Sequence, residues 1–412
     1  MAEEIVVIGA GIVGAACAAR LTMAGRKVVV IDRVLPGMSC SFGNAGGLSP
    51  TISFPLATPD MYRQIPGWML DPEGPLVVDW KYLPRALPWL LRFLREGSAA
   101  RSSQAAQGVR TMMRSVFEDY APLIAFSRSE QLIHHAGQLY VFDSDAGFAK
   151  EQGAIAARRA LGLAQQVLAG SEIQAFEPQL SPRFKHGVYL PSHGHCSNPQ
   201  GFVQRLVEAS VSAGARYLQA EVSRIEPGPD GVLVHGLGSP LLADQVVLAG
   251  GVWSNALLRP LGTSAPLESQ RGYHIQMPYQ GSALGRNVFW QERKTLATPM
   301  DAGLRFAGTA EIAGLDAKPN ERRFALLHKV AAQMFPGLEQ VSGSRWMGHR
   351  PCTPDSLPLI GAHPQHRNIV CAFGHGHVGL SGAAFTSRAV AHLLAGGAPE
   401  PSWSAFSPAR YL

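Results

Sequence analysis

The chain has 412 residues, enough for about two to three domains, and its 46% hydrophobic content supports a full core. The net charge of +6 is small and the basic residues are dispersed, so the clustered stripe that a nucleic-acid binder needs is missing. Cys17, Cys40, Cys196, Cys352 and Cys371 are odd in number and never form C-x-x-C, which argues against a disulfide framework or zinc ribbon and for reduced thiols.

The acidic Met-Ala-Glu-Glu opening carries no basic leader, and no apolar run reaches the roughly 18–20 residues of a membrane span. The expectation is a cytoplasmic protein, soluble or peripheral on the inner face of a membrane. EEIVVIGAGIVGAACAARLTMAGRKVVVID (3–32) then reads strand, glycine turn, helix, strand. Gly9, Gly11 and Gly14 form G-x-G-x-x-G: Gly9 permits the turn, Gly11 lets a pyrophosphate approach the backbone, and Gly14 lets helix pack on strand. Unpaired N–H groups at the helix start favour phosphate. Asp32, with Arg33 beside it, closes the second strand where a ribose hydroxyl can donate to it. This is a dinucleotide site.

The next loop, RVLPGMSCSFGNAGGLSP, is small and polar, with Ser41, Asn44, Gly46, Gly47 and Leu48 placed for the second half of a dinucleotide. Residues 55–100 are rich in Pro and Trp, and Pro66, Pro72, Pro75, Pro84 and Pro88 are expected to break them into short pieces. Leu87, Leu90, Leu91 and Leu94 share one helical face, with Trp89 and Phe93 on adjacent faces, a surface suited to its own protein or to a membrane. Residues 101–131 and 146–170 read as amphipathic helices, with QLYVF (138–142) a strand between them.

A helix capped by Asn198 and ended by Gly214 leads into strands and the Gly250-Gly251 turn, the pattern of a nucleotide-binding unit resuming after an insertion. Residues 268–310 read as antiparallel strands and 321–335 as a helix. The end of the chain gives a strand, the glycine turn of Gly374, Gly376 and Gly379, and a helix. His375 with His377, and His193 with His195, are spaced like metal pairs, but each lacks the third and fourth ligands, so no metal is expected.

Together SFGNAGGLSP (41–50), TPMDAGLRFAGTAEIAG (298–314), RWMGHRPCTPDSLPLIG (345–361) and GHGHVGLSGAA (374–384) resemble the D-amino-acid oxidase-like superfamily, nearest its D-amino-acid dehydrogenase small-subunit group. Glycine oxidase and hydroxyproline dehydrogenase are related groups. The resemblance implies an α/β fold: a Rossmann-type FAD-binding domain (1–59, 191–258 and 345–412) interleaved with an α+β antiparallel-sheet substrate domain (60–190 and 259–344). It implies non-covalent FAD on the residues named above and on Val222, Gly250, Gly374, Gly376, His377, Val378 and Gly379. NAD would share the first fingerprint but leaves the second glycine loop and the C-terminal turn without a use.

The activity implied is oxidation of a D-amino acid, or of a cyclic imino acid such as D-proline or hydroxy-D-proline, by hydride transfer from Cα to flavin N5. Electrons then pass to a quinone or other carrier, with the 60–95 segment as a contact with the membrane. The alternatives are an oxidase using O2 and a flavin-binding subunit of a heteromeric complex. Such chemistry needs a carboxylate anchor, and the planar fork of arginine suits it. Arg350 matches the arginine of the R-P-x-T-x-D motif of glycine oxidase-like relatives, which grips the substrate carboxylate there, its competing use being an ion pair with Asp355. Tyr273 is expected to donate its hydroxyl to the same carboxylate, with Arg271 and His274 as weaker neighbours, and His377 to donate a hydrogen bond or wall the pocket.

Overall fold

The computed structural model describes residues 3–51, 55–59, 61, 67, 71, 73–74, 76–278, 284–338 and 340–412. Pro66, Pro72 and Pro75 lie outside the described residues. Two large sheets organise the rest. The first runs, in spatial order, Arg216–Gln219, Lys27–Asp32, Glu4–Ile8, Gln245–Leu248, Ile369–Phe373 and Leu359–Ala362. Its strands are parallel apart from the last pair. Strands covered on both faces read as unbroken apolar runs, and this explains IVVI and VVVID. Ile5, Val7, Val28 and Val30 pack toward the helices Ile12–Met23, Pro199–Ser212 and Gly379–Leu394. Val6, Ile8, Val29 and Ile31 pack toward a three-stranded meander of residues 224–243.

The second sheet is mostly antiparallel. It runs Ser344–Cys352, Glu268–Met277, Gly303–Ile312, Thr295–Met300, Asn287–Trp290, Gln138–Phe142, His186–Leu190 and Gln166–Ala169, with Leu76–Val78 alongside Gly303–Ile312. Period-two alternation divides its faces. Leu139, Val141, Tyr273, Ile275, Val288 and Phe306 turn to the helix Glu321–Met334 and form one core. The opposite face turns to the first sheet. Fold class is thus mixed α/β, a Rossmann-type parallel sheet interleaved with a mainly antiparallel one.

Several details differ from the sequence reading. Residues 345–352, grouped there with the cofactor-binding segments, pair along Glu268–Met277 in the second sheet. The helix expected over 146–170 ends at Ala160, and Gln166–Ala169 is a strand, because Gly162 takes a positive φ of 67° and stops the helix. Pro88 does not break the helix Leu83–Glu96. Pro84 sits in its first turn, where an N–H has no intrahelical acceptor, and Pro88 costs one hydrogen bond. Its inward face is centred on Ala86, Trp89 and Phe93, with Leu90 and Leu94 half-buried at its edge and Leu87 and Leu91 exposed, and Trp89 Nε1 donates to Pro266 O and Cys352 O at 3.1 Å each.

Gly14 carries the contact between first strand and first helix. A Cβ there would lie 1.8 Å from Gly9 O, a backbone atom with nowhere to move. Gly14→Ala should therefore lower the thermal unfolding midpoint sharply, or abolish soluble expression. Overpacking costs typically ~1–3 kcal/mol and more against fixed backbone, above the ~1 kcal/mol that alanine gains in helix propensity. An unchanged midpoint would remove the close contact from the account.

Candidate active site

A cavity of about 700 Å³ runs between the two sheets. One end is built on the first sheet. There Gly9, Gly11, Asp32, Arg33, Ser41, Val222 and Gly250 all line it. Gly11 precedes the first helix and supplies no side-chain cap. Ile12 N–H instead donates to Ser41 Oγ at 2.9 Å, which fastens the second glycine loop to the helix start. Asp32 is oriented by its own backbone neighbourhood: Oδ2 accepts from Ala10 N at 2.6 Å and Oδ1 from Val34 N at 3.1 Å. Arg33 lies over the Trp253 ring, 4.3 Å from its centroid, with Glu221 at 3.7 Å.

The remaining candidates divide. Asn44, Gly47, Gly374, Gly376, His377, Val378 and Gly379 line the cavity. Gly14, Gly46 and Leu48 stand behind its wall: Gly14 packs on Gly9, Gly46 on Cys196 O, and Leu48 is buried in the core. His375 also borders the cavity, but it is buried, its Nε2 bonds Thr386 Oγ1 at 2.8 Å and burial pushes its pKa down to about 3. His193 is spent similarly on Gln138 Oε1 at 2.7 Å and Thr51 Oγ1 at 2.5 Å.

At the other end the second sheet forms the wall. Register places Trp346 opposite His274, Gly348 opposite Gly272 and Arg350 opposite Gln270, all on the cavity-facing side. The Arg350 guanidinium lies flat across Gly272, where a Cβ would come within 2.3 Å of Cζ. Nη1 donates to Thr309 O at 3.1 Å, and among the described residues no acidic side chain pairs with Arg350. Asp355, the competing partner, receives Arg410 Nε at 2.8 Å instead. Burial lowers the Arg350 pKa, with the Cys352 and Cys40 thiols opposing, yet arginine stays charged. A desolvated cation with unspent donors is an anion site.

His377 opens onto the cavity, and its Nε2 bonds Gln270 Oε1 at 2.8 Å. An amide oxygen only accepts, so Nε2 carries the proton. Although a good part of the ring is open to the cavity, the enclosure around it, and then the Arg350 charge, hold its pKa well below the usual histidine value.

Tyr273 is not placed for the role expected of it. Its ring is buried against Phe324 on the helix-covered face, and its hydroxyl donates to Glu311 and accepts from Asn320 N at 3.1 Å. Arg271 shares that face and pairs with Glu311 at 3.1 Å. Arg271 and Tyr273, two residues apart on one strand, alternate with Gly272 and His274 and so share that face. The cavity wall is supplied instead by Gln138, Tyr140, Phe289, Leu296 and Ala307, which the sequence reading missed. Alternation in QLYVF was the available signal: Gln138 and Tyr140 share a face.

Residues 4–393 match the model of the DAO family, described as FAD dependent oxidoreductase. The chain belongs to the FAD-dependent oxidoreductase family. It is 37% identical to a D-amino-acid oxidase of Bradyrhizobium diazoefficiens, covering 100% of this chain and 99% of that one. It is 32% identical to a D-amino acid dehydrogenase of the same organism, covering 99% of each. Among solved structures, glycine oxidase from Geobacillus kaustophilus superposes with a TM-score of 0.78 at 21% identity over 100% of both chains. L-proline dehydrogenase from P. horikoshii gives 0.74 at 19%, covering 99% of this chain and 97% of that one. These two share the fold. The chain is thus an FAD-dependent oxidoreductase.

Proposed function

We propose that this chain oxidises a D-amino acid, or a cyclic imino acid such as D-proline or hydroxy-D-proline, at FAD held between the two sheets. The observation that carries this reading is Arg350, a charged guanidinium with no acidic partner among the described residues, in a cavity continuous with the dinucleotide wall. The printed names of the 37% and 32% identical relatives support the substrate class.

The wall fits the cofactor. A helix start whose N-cap, Gly11, brings no side chain of its own and the Ser39–Ser49 loop suit a pyrophosphate, Asp32 has a free lone pair on each oxygen for a ribose, and Gly374–Gly379 bring backbone to the cavity. When bound, FAD supplies a two-electron acceptor that takes the Cα hydride at N5. Arg350 binds the substrate carboxylate through paired N–H donors and so fixes where Cα lies. Its charge also disfavours an ammonium beside it, and among the described residues lining this end of the cavity no protein carboxylate opposes that effect. The amine therefore keeps its lone pair to form the C=N bond as the hydride leaves. His377, neutral and tied to Gln270, walls the same region. Water hydrolyses the released imino acid to a 2-oxo acid and ammonia.

For the acceptor we propose a quinone or similar carrier met at an anionic membrane surface, with O2 as the competing reading. The support is the outer face of the helix Leu83–Glu96. Trp80, Leu87 and Leu91 are 68%, 47% and 58% exposed among Lys81, Arg85, Arg92 and Arg95. Its one acidic residue, Glu96, is paired with Arg101. Apolar groups ringed by basic ones match an anionic bilayer. Among the described residues no helix is long and apolar enough to cross a membrane.

Two outcomes follow. Arg350→Lys should retain the bound flavin spectrum while raising the substrate KM at least about tenfold, the worth of one lost charge-assisted hydrogen bond; an unchanged KM would take Arg350 out of the anchor role. Protein reduced anaerobically by substrate should be reoxidised fastest by a quinone in anionic vesicles, more slowly by the same quinone in zwitterionic vesicles, and slowest by air. Air as the fastest oxidant would establish an oxidase. Reduction of the isolated chain by any amino acid excludes a non-catalytic subunit.

A further inference from the structure

Arg350 reaches Thr309 O by crossing a strand. It stands on Ser344–Cys352, its acceptor stands on Gly303–Ile312, and Glu268–Met277 runs between them. Gln270, directly opposite Arg350, is spent on His377, and the Arg350 side chain passes over Gly272 instead. A Cβ at Gly272 would fall on Cζ and Nη2, with Nε 2.8 Å away. The guanidinium therefore rests on this glycine by its Nε and Nη2 edge and sends Nη1 beyond it.

The third strand is irregular at the same point. Its pairing runs from Arg271 with Glu311 to Tyr273 with Gly308, so Thr309 and Ala310 both stand opposite Gly272. The extra residue makes a β-bulge. Thr309 within it has a φ of 59°. Arg128, Lys294 and Ser356 are the other non-glycine residues with positive φ among the described residues, and none of them is β-branched. The Thr309 hydroxyl is buried with no hydrogen-bond partner among the described residues. Both features cost stability. What the bulge provides is a carbonyl turned away from the ladder, and that oxygen meets Arg350 Nη1 at 3.1 Å. We infer that Gly272 and the Thr309 bulge are one positioning device for Arg350: the bulge supplies the acceptor that holds Nη1, the glycine supplies the gap, and the Nε and Nη2 edge is set for a carboxylate before substrate binds. This rests on the reading of Arg350 as the carboxylate anchor.

The test titrates the oxidised holoprotein with 3-phenylpropionate, read in the flavin absorption spectrum, for the wild type, Gly272→Ala, Arg350→Lys and the double variant. The new methyl of Gly272→Ala meets only the movable end of a side chain, so flavin should stay bound. The dissociation constant should rise at least about tenfold, the worth of one charge-assisted hydrogen bond. Lysine has no planar edge to displace, so in the Arg350→Lys background the same glycine change should add no more than about twofold. At Thr309 opposite outcomes are expected. Glycine takes the left-handed backbone freely and keeps the carbonyl, so Thr309→Gly should bind within about twofold of the wild type. Proline fixes φ at about −65°, so Thr309→Pro should lose at least about tenfold. Wild-type affinity in Gly272→Ala, an equal loss in the Arg350→Lys background, or a tenfold loss in Thr309→Gly would overturn the inference and leave the anchor reading intact. Wild-type affinity in Arg350→Lys would overturn both. The Thr309→Gly result decides if Gly272→Ala does not fold.

Discussion

Arg305 pins the two sheets together. It is buried in the second sheet, and its Nη1 donates to Phe42 O at 3.0 Å and Asn44 O at 2.6 Å in the glycine loop that follows the dinucleotide strand. Nε and Nη2 are both spent on Gln276 Oε1. Burial pushes its pKa down to about 10, which leaves it charged at neutral pH and bonded to neutral oxygens. The same loop gives Ala45 O to Thr298 Oγ1 at 2.7 Å and Gly43 O to His274 Nδ1 at 3.1 Å. From the other side Ser41 holds it to the first helix, and Cys196 N donates to Gly46 O at 2.7 Å. Loop carbonyls are thus tied to the second sheet and its hydroxyl to the first. The spacing between the sheets, and with it the cavity, follows from that clamp.

A clamp that close leaves little room for side chains. Gly43 lies on the Trp346 indole, where a Cβ would come within 1.9 Å of Cε3. Trp346 in turn stacks on His274 and covers Gly348. The indole and the Arg350 guanidinium are two flat groups laid on a floor of glycine. Among the described residues the one hydrogen-bond partner of Arg350 is the Thr309 carbonyl. The unspent donors of a desolvated cation suit this end of the cavity to the substrate carboxylate proposed for it rather than to a structural ion pair.

The parts of this arrangement legible in sequence are those dictated by local rules. The βαβ start, the strand QLYVF, the Asn198 cap and the C-terminal strand, turn and helix all follow from periodicity, capping and glycine placement. What was not legible depends on register. Arg271 and Tyr273 alternate with Gln270, Gly272 and His274, and which of the two faces meets the cavity is decided by the long-range packing of the helix Glu321–Met334, which covers Arg271 and Tyr273. Tyr140 and Phe289 come from strands far apart in sequence that pair side by side, and no local pattern announces the pairing. The leucine stripe of residues 87–94 misled for a related reason. Periodicity finds the faces of a helix, while the cavity left by Ile312 and Cys352 took the aromatic face of this one.

Arg350 is the residue proposed to bring substrate carboxylate and flavin together, and ligand binding tests that role without turnover. The measurement is a titration of the oxidised holoprotein with 3-phenylpropionate, an amino acid's carboxylate and apolar tail without its amine, followed in the flavin absorption spectrum. The prediction is a saturable spectral change in the wild type that is lost in Arg350→Met at full flavin occupancy. An Arg350→Met protein that retains flavin and binds 3-phenylpropionate as tightly as the wild type would contradict it.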